Sequence, residues 1–119
     1  MAASVWRLEV DGGGTVASHI EVADGMWGRF VGLMGKRALP EGHGLCLRPC
    51  SQIHMFFMRF HIDAMFVDKD GRIVRLYADL KPWRVTRIVR KAKACIELPA
   101  GTAARAGVRV GDLVRLVGD

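Results

Sequence analysis

This chain has little with which to staple itself together. Its three cysteines, Cys46, Cys50 and Cys95, are too few and of the wrong parity for a disulfide framework. A reducing compartment is the simpler setting. No apolar run approaches the roughly 20 residues of a membrane span. The opening Met1-Ala2-Ala3-Ser4-Val5-Trp6 lacks the basic segment and apolar stretch of a secretory signal, so a cytoplasmic location is expected. Low-complexity tracts and internal repeats are missing too. With half of its residues hydrophobic and a quarter charged, the chain is neither a disordered tail nor a collagen-like or coiled-coil repeat. At 119 residues it suits one domain and is short for two. A chain of this size buries roughly two thirds of its unfolded surface, so folding requires no cofactor.

One further absence is local. The segment from Lys81 to Lys93 has no acidic residue but holds Lys81, Arg84, Arg87, Arg90, Lys91 and Lys93. Without those six, the 18 basic residues fall to 12, matching the 12 acidic ones, so the whole net charge of +6 resides in this segment.

Strand and turn signals follow one another along the chain. Val5–Val10 alternates, Asp11-Gly12-Gly13-Gly14 tolerates a reversal, and Thr15–Val22 alternates again, predicting a paired hairpin. Asp24 is placed to cap a helix running to about Met34, with Met26, Trp27, Phe30, Val31 and Met34 on one stripe and Gly35 as its stop. Leu45–Leu47 and the apolar Ile53–Met58 predict short strands, the first ended by Pro49. Ala64–Val67 and Arg72–Tyr77 flank Asp68-Lys69-Asp70-Gly71 as the clearest hairpin. Ala94–Leu98 predicts a strand, Pro99 to Ala106 a short helix stopped by Gly107, and Leu113–Val117 a last strand. The sum is an α+β domain with a mainly antiparallel sheet of about seven strands, open to curling into a barrel, and two short helices.

Five pieces occur in a fixed order: Arg29-Phe30-Val31-Gly32-Leu33-Met34-Gly35, Met58-Arg59-Phe60-His61-Ile62-Asp63, Phe66-Val67-Asp68-Lys69-Asp70-Gly71, Glu97-Leu98-Pro99-Ala100-Gly101, and Gly107-Val108-Arg109-Val110-Gly111-Asp112. Each alone is a weak signal; together they resemble the domain-of-unknown-function 192 family of bacteria and archaea, over about Val22 to Val117. The resemblance implies a small single domain of strands with short helices, spanning 1–119, and no established activity. Many relatives carry an export leader, which this chain does not show, and most place proline where His61 stands.

The densest reactive set runs from Cys46 to Asp63. Cys46, Cys50, His54 and Met58 recur every four residues and offer soft ligands suited to copper(I) or zinc. Against that metal reading, paired zinc ligands are usually closer in sequence, and small buried cysteines with Met55, Phe56, Phe57 and Met58 as core filling account for the same residues. Cys50 with His54 as base and Asp63 as orienter would make a nucleophilic site, which requires an exposed thiol of lowered pKa. No spacing of titratable residues demands an enzyme.

Asp63 is a charge inside an apolar run and needs partners or backbone donors. Either it ties down the loop before the hairpin, or Asp63, with His54, Met58 and His61, marks the polar end of a ligand pocket. In the basic segment, arginine at every third position fits neither a helical face nor a strand face, so a loop or twisted edge with arginines fanned outward is expected. Such an edge either discourages aggregation or, through Arg84, Arg87, Arg90, Lys91 and Lys93 with Trp83 beside them, binds a nucleic acid, an acidic protein or an anionic lipid surface. Gly12-Gly13-Gly14 has no following Lys-Ser/Thr and is not a phosphate loop. A non-enzymatic accessory or ligand-binding domain is the expectation, with polyanion binding and soft-metal binding as alternatives.

Overall fold

The computed structural model describes residues 5–24, 38–56 and 58–118. Seven strands make one sheet: β1 (Val5–Val10), β2 (Gly14–Asp24), β3 (His43–Arg48), β4 (Ile62–Val67), β5 (Ile73–Leu80), β6 (Ala94–Pro99) and β7 (Val114–Gly118). Among the described residues there is one helix, α1 (Thr102–Ala106), ended by Gly107 in the left-handed conformation that its missing Cβ permits. Among the described residues the fold is therefore mainly β, with a mixed sheet and one short helix, where an α+β domain was expected. The helix expected from Asp24 to Met34 lies outside the described residues, apart from Asp24 itself, which ends β2. Among the described residues of Ile53–Met58 no strand forms, and His54 pairs in an isolated bridge to Val85.

The strand order is β5-β4-β6-β3-β2-β1-β7. Every neighbouring pair is antiparallel except β2 with β3, which run parallel from His19 opposite His43 to Asp24 opposite Arg48. The sheet is thus mixed. Residues 25–42 separate the two parallel strands, and a connection of that length can return the chain to its starting end, as a tight turn cannot.

The sheet does not close into a barrel. Its two edge strands meet only ahead of their first residues, at the isolated bridge between Arg72 and Leu113. There the Ile73 N–H donates to the Asp112 carbonyl at 2.8 Å and the Val114 N–H to the Gly71 carbonyl at 2.9 Å. Gly71 has φ 87°, and a Cβ on it would run into the Val114 carbonyl, so only glycine fits that crossing. The turn before it is built by Asp68, whose carboxylate accepts the backbone N–H groups of Asp70 and Arg72 at 2.9 Å each. These bonds, that from Arg72 foremost, hold the Asp68 carboxyl below its usual range.

Side-chain alternation gives the sheet two cores. Leu8, Ile20, Cys46, Met65, Val67, Ile96 and Leu98 fill one face with Ala103 and Val108 of the α1 region. Leu45, Leu47, Ile62, Ala64, Phe66 and Cys95 fill the other with Cys50, Ile53, Met55, Met58 and Ala92. β4 contributes to both and is buried at all six positions, which is why it reads as a continuous apolar run rather than an alternating one. The second core is roofed by two irregular stretches, the one around Cys50–Met58 and the one that returns from β5 to β6.

Candidate functional site

Asp63 is fully buried, and three backbone donors surround it. Its Oδ1 accepts the Asp79 N–H at 3.0 Å; its Oδ2 accepts those of Gly101 at 3.2 Å and Ala103 at 2.9 Å. The register between β4 and β5 slips between Ile62 and Ala64, and Asp79 at that slip has φ 55°. The carboxylate therefore holds a bulge in β5 and the first turn of α1, rather than the loop before the hairpin. Its burial leaves no donor demand unmet. His61 is exposed, with Nδ1 2.8 Å from the Asp79 carboxylate. His61 and Asp63 thus meet at Asp79, one through its side chain and one through its backbone.

His54 and Met58 have other surroundings. Met58 is buried in the second core. β4 points Asp63 away from that core, toward the first one. His54 is half-buried, accepts the Phe56 N–H at Nδ1 (3.2 Å) and lies with its ring 4.9 Å from that of Phe56. Two clefts are lined by other residues. One, of about 400 Å³, lies between β2 and α1 with Ser18, Glu41 and Arg105 on its walls. The other, of about 290 Å³, opens beside β7 between Cys46, Asp68, Lys69 and Arg115.

All three cysteines are buried, and none is in a disulfide. Cys46 belongs to the first core and Cys50 to the second, so the sheet separates these two soft donors. Among the described residues no three His, Cys, Asp or Glu side chains gather as a metal site. Cys50 donates to the Gln52 carbonyl at 3.3 Å and hydrogen-bonds the Cys95 thiol. Burial, foremost, pushes Cys95 well above the usual thiol range, the opposite of what a nucleophile needs.

Sequence reasoning passed over Glu97. It sits on β6 between Leu45 of β3 and Ala64 of β4, nearly buried. Loss of solvent, with a smaller contribution from Cys50, pushes its carboxyl up to about 8. The signal was available, because Glu97 interrupts an apolar strand just as Asp63 does.

The basic segment is well organised. Its backbone is tied to the stretch before β4: Trp83 N–H to the Met55 carbonyl (2.7 Å), Met55 N–H to Arg84 (2.6 Å), Thr86 N–H to Ile53 (3.0 Å) and Val89 N–H to Ser51 (2.8 Å). The buried Thr86 hydroxyl also accepts the Ile53 N–H at 3.1 Å. Thr86, Val89 and Ala92 turn inward, one in every three. The arginines are exposed and occupy one of the two remaining positions of this three-residue repeat. The next register holds Val85 and Ile88, which are 52% and 65% exposed. Trp83, at φ 65°, is 59% exposed and stands 6.0 Å from the ring of Phe56. Phe56 is itself exposed rather than core filling, and Phe57 lies outside the described residues. All six cations are exposed, and none is in an ion pair among the described residues.

Among the described residues, an open mixed sheet with two cores, a carboxylate-pinned bulge and a charged, partly apolar edge define a small, mainly β domain. Residues 8–116 match the model of domain of unknown function 192, described as "Uncharacterized ACR", and the chain belongs to that family. A UPF0127 protein of Pyrococcus furiosus is 34% identical over 112 residues, covering 88% of this chain and 92% of its own. A solved protein of unknown function from Novosphingobium aromaticivorans has the same fold, with a TM-score of 0.84 at 23% identity, covering 97% of this chain and 93% of its own. A solved protein from Sinorhizobium meliloti, described as "a putative transcription regulator", has a TM-score of 0.81 at 24% identity, covering 98% of this chain and 96% of its own. Among the described residues no helix is long and apolar enough to cross a membrane.

Proposed function

We propose that this is a non-enzymatic binding domain whose ligand is a polyanion held on the edge formed by residues 81–93. One observation carries the reading: six exposed cations, unpaired among the described residues, stand on a backbone that is already hydrogen-bonded into place. Surface cations usually find acidic neighbours, and here the residues on either side supply none from Leu80 to Ile96. A rigid cationic edge loses little freedom on binding, and its attraction to a row of phosphates or sulfates is strongly salt-dependent. The His54, Met58, His61 and Asp63 neighbourhood offers less as a ligand site, because Met58 is core, the Asp63 carboxylate is taken up by backbone donors, and these two side chains face opposite cores. With three buried cysteines outside any disulfide the domain suits a reducing compartment, and we assign it to the cytoplasm.

Heparin chromatography tests the reading. The wild type should be retained to moderate salt, and the triple variant Arg84→Ala, Arg87→Ala, Arg90→Ala should elute near the void. Equal retention of the two would overturn it.

A further inference from the structure

We propose that the basic edge docks on an anionic phospholipid surface; this rests on the polyanion reading and names its partner. Charge alone does not choose among a nucleic acid, an acidic protein and a membrane. The apolar residues do. The large hydrophobic side chains exposed among the described residues are Phe56, Trp83, Val85, Ile88 and Val110; three of these five lie in the basic edge, and Phe56 stands beside it against Trp83. Exposed aliphatic groups on a water-facing surface mark a contact with something apolar.

A nucleic acid gives Val85 and Ile88 no work, because its bases stack on aromatic rings and its backbone takes only the cations. A bilayer uses every group present. The three-residue repeat carries Arg84, Arg87 and Arg90 in one outward register and Val85 and Ile88 in the next. Cations in such a row meet lipid phosphates while the aliphatic side chains beside them enter the acyl boundary, and the long arginine stems allow both at once. Tryptophan and phenylalanine favour the same interfacial depth, and Trp83 and Phe56 stand side by side there. The neighbouring stretch, residues 49–62, adds exposed Arg59 and no acidic residue, and the exposed carboxylate that borders it, Asp79, is engaged by His61.

The anchoring of the edge fits this use. Thr86, Val89 and Ala92 are turned inward, and the backbone bonds to Ser51, Ile53 and Met55 fix which residues face out. Neither charge nor apolar insertion alone gives stable peripheral binding; two weak signals on one rigid surface do.

The test uses the full chain and its Val85→Ser, Ile88→Ser variant, with circular dichroism to confirm that both are folded. Co-sedimentation is measured with phosphatidylcholine vesicles, with vesicles containing phosphatidylglycerol, and, in parallel, binding to a single-stranded oligonucleotide and to heparin. The wild type should bind the phosphatidylglycerol vesicles and not the neutral ones. The double variant should lose vesicle affinity by about tenfold or more while keeping its heparin retention. Retention on heparin without vesicle binding, or tight oligonucleotide binding that the double variant preserves, would overturn the membrane proposal and leave the polyanion reading standing. Failure to bind heparin would overturn both.

Discussion

Replacing Glu97 by glutamine should remove most of the pH dependence of stability and make the protein more stable at neutral pH. The carboxyl titrates at about 8 in the folded chain against 4.5 for the free group. Below pH 4.5 both states hold the proton. Above it the unfolded chain releases its proton while the folded chain keeps it, so folding becomes less favourable as pH rises, until the folded group ionises near pH 8. The slope is about 1.4 kcal/mol per pH unit, which amounts to ~3 kcal/mol between about pH 5 and about pH 7.5. That is a large share of the 5–15 kcal/mol typical of a whole domain. Urea unfolding at fixed ionic strength across this range measures it. Every other ionisable group is unchanged in the variant, so the difference between the two curves isolates position 97. Wild type and Glu97→Gln should be similar at pH 5 and diverge steadily above it, the variant becoming the more stable. Parallel curves, or a wild type that gains stability relative to the variant as pH rises, would refute the argument.

Asp63→Ala strands the buried N–H of Ala103 and the part-buried N–H groups of Gly101 and Asp79; about 3–5 kcal/mol should be lost, read as a lower urea midpoint. Gly71→Ala forces a Cβ against the Val114 carbonyl at φ 87°, and a drop of ~2 kcal/mol or more in a thermal melt is expected, whereas Gly107→Ala, which meets only open space, should cost less. Thr86→Val keeps the shape but unpairs the Ile53 N–H, costing about 1–2 kcal/mol and speeding amide exchange at Ile53 more than at Met65 in the core. Val85→Ser with Ile88→Ser should shift stability by less than about 0.5 kcal/mol, since both side chains already face water.

The elements legible from the sequence are those whose signals are local. The β1–β2 hairpin announces itself by glycines between alternating runs, the β4–β5 hairpin by Asp70-Gly71 between β-formers, and the end of α1 by Gly107. The parallel pairing of β2 with β3 was not legible, because residues 25–42 carry no turn chemistry that fixes where the chain returns. Asp63 was recognisable as a charge in an apolar run, but its donors lie 16, 38 and 40 residues away, which no spacing rule reaches. Glu97 needed only the same argument applied a second time. The basic segment shows the opposite failure. Its period of three was visible, but only the inward turn of Thr86, Val89 and Ala92 shows which positions of the repeat are buried and which carry charge and apolar groups at the surface.

The Asp63 carboxylate has a consequence for the order in which the chain becomes native. A five-residue helix is far below the length at which helices persist by themselves. The first turn of α1 gains its acceptor only once β4 lies in place, and the same carboxylate closes the bulge in β5. Helix formation is therefore coupled to completion of the sheet rather than preceding it, against the usual tendency for local structure to form first. The amide of Ala103 accordingly serves as a clock: its protection from exchange should appear together with that of Asp79, two strands away along the chain, and no earlier.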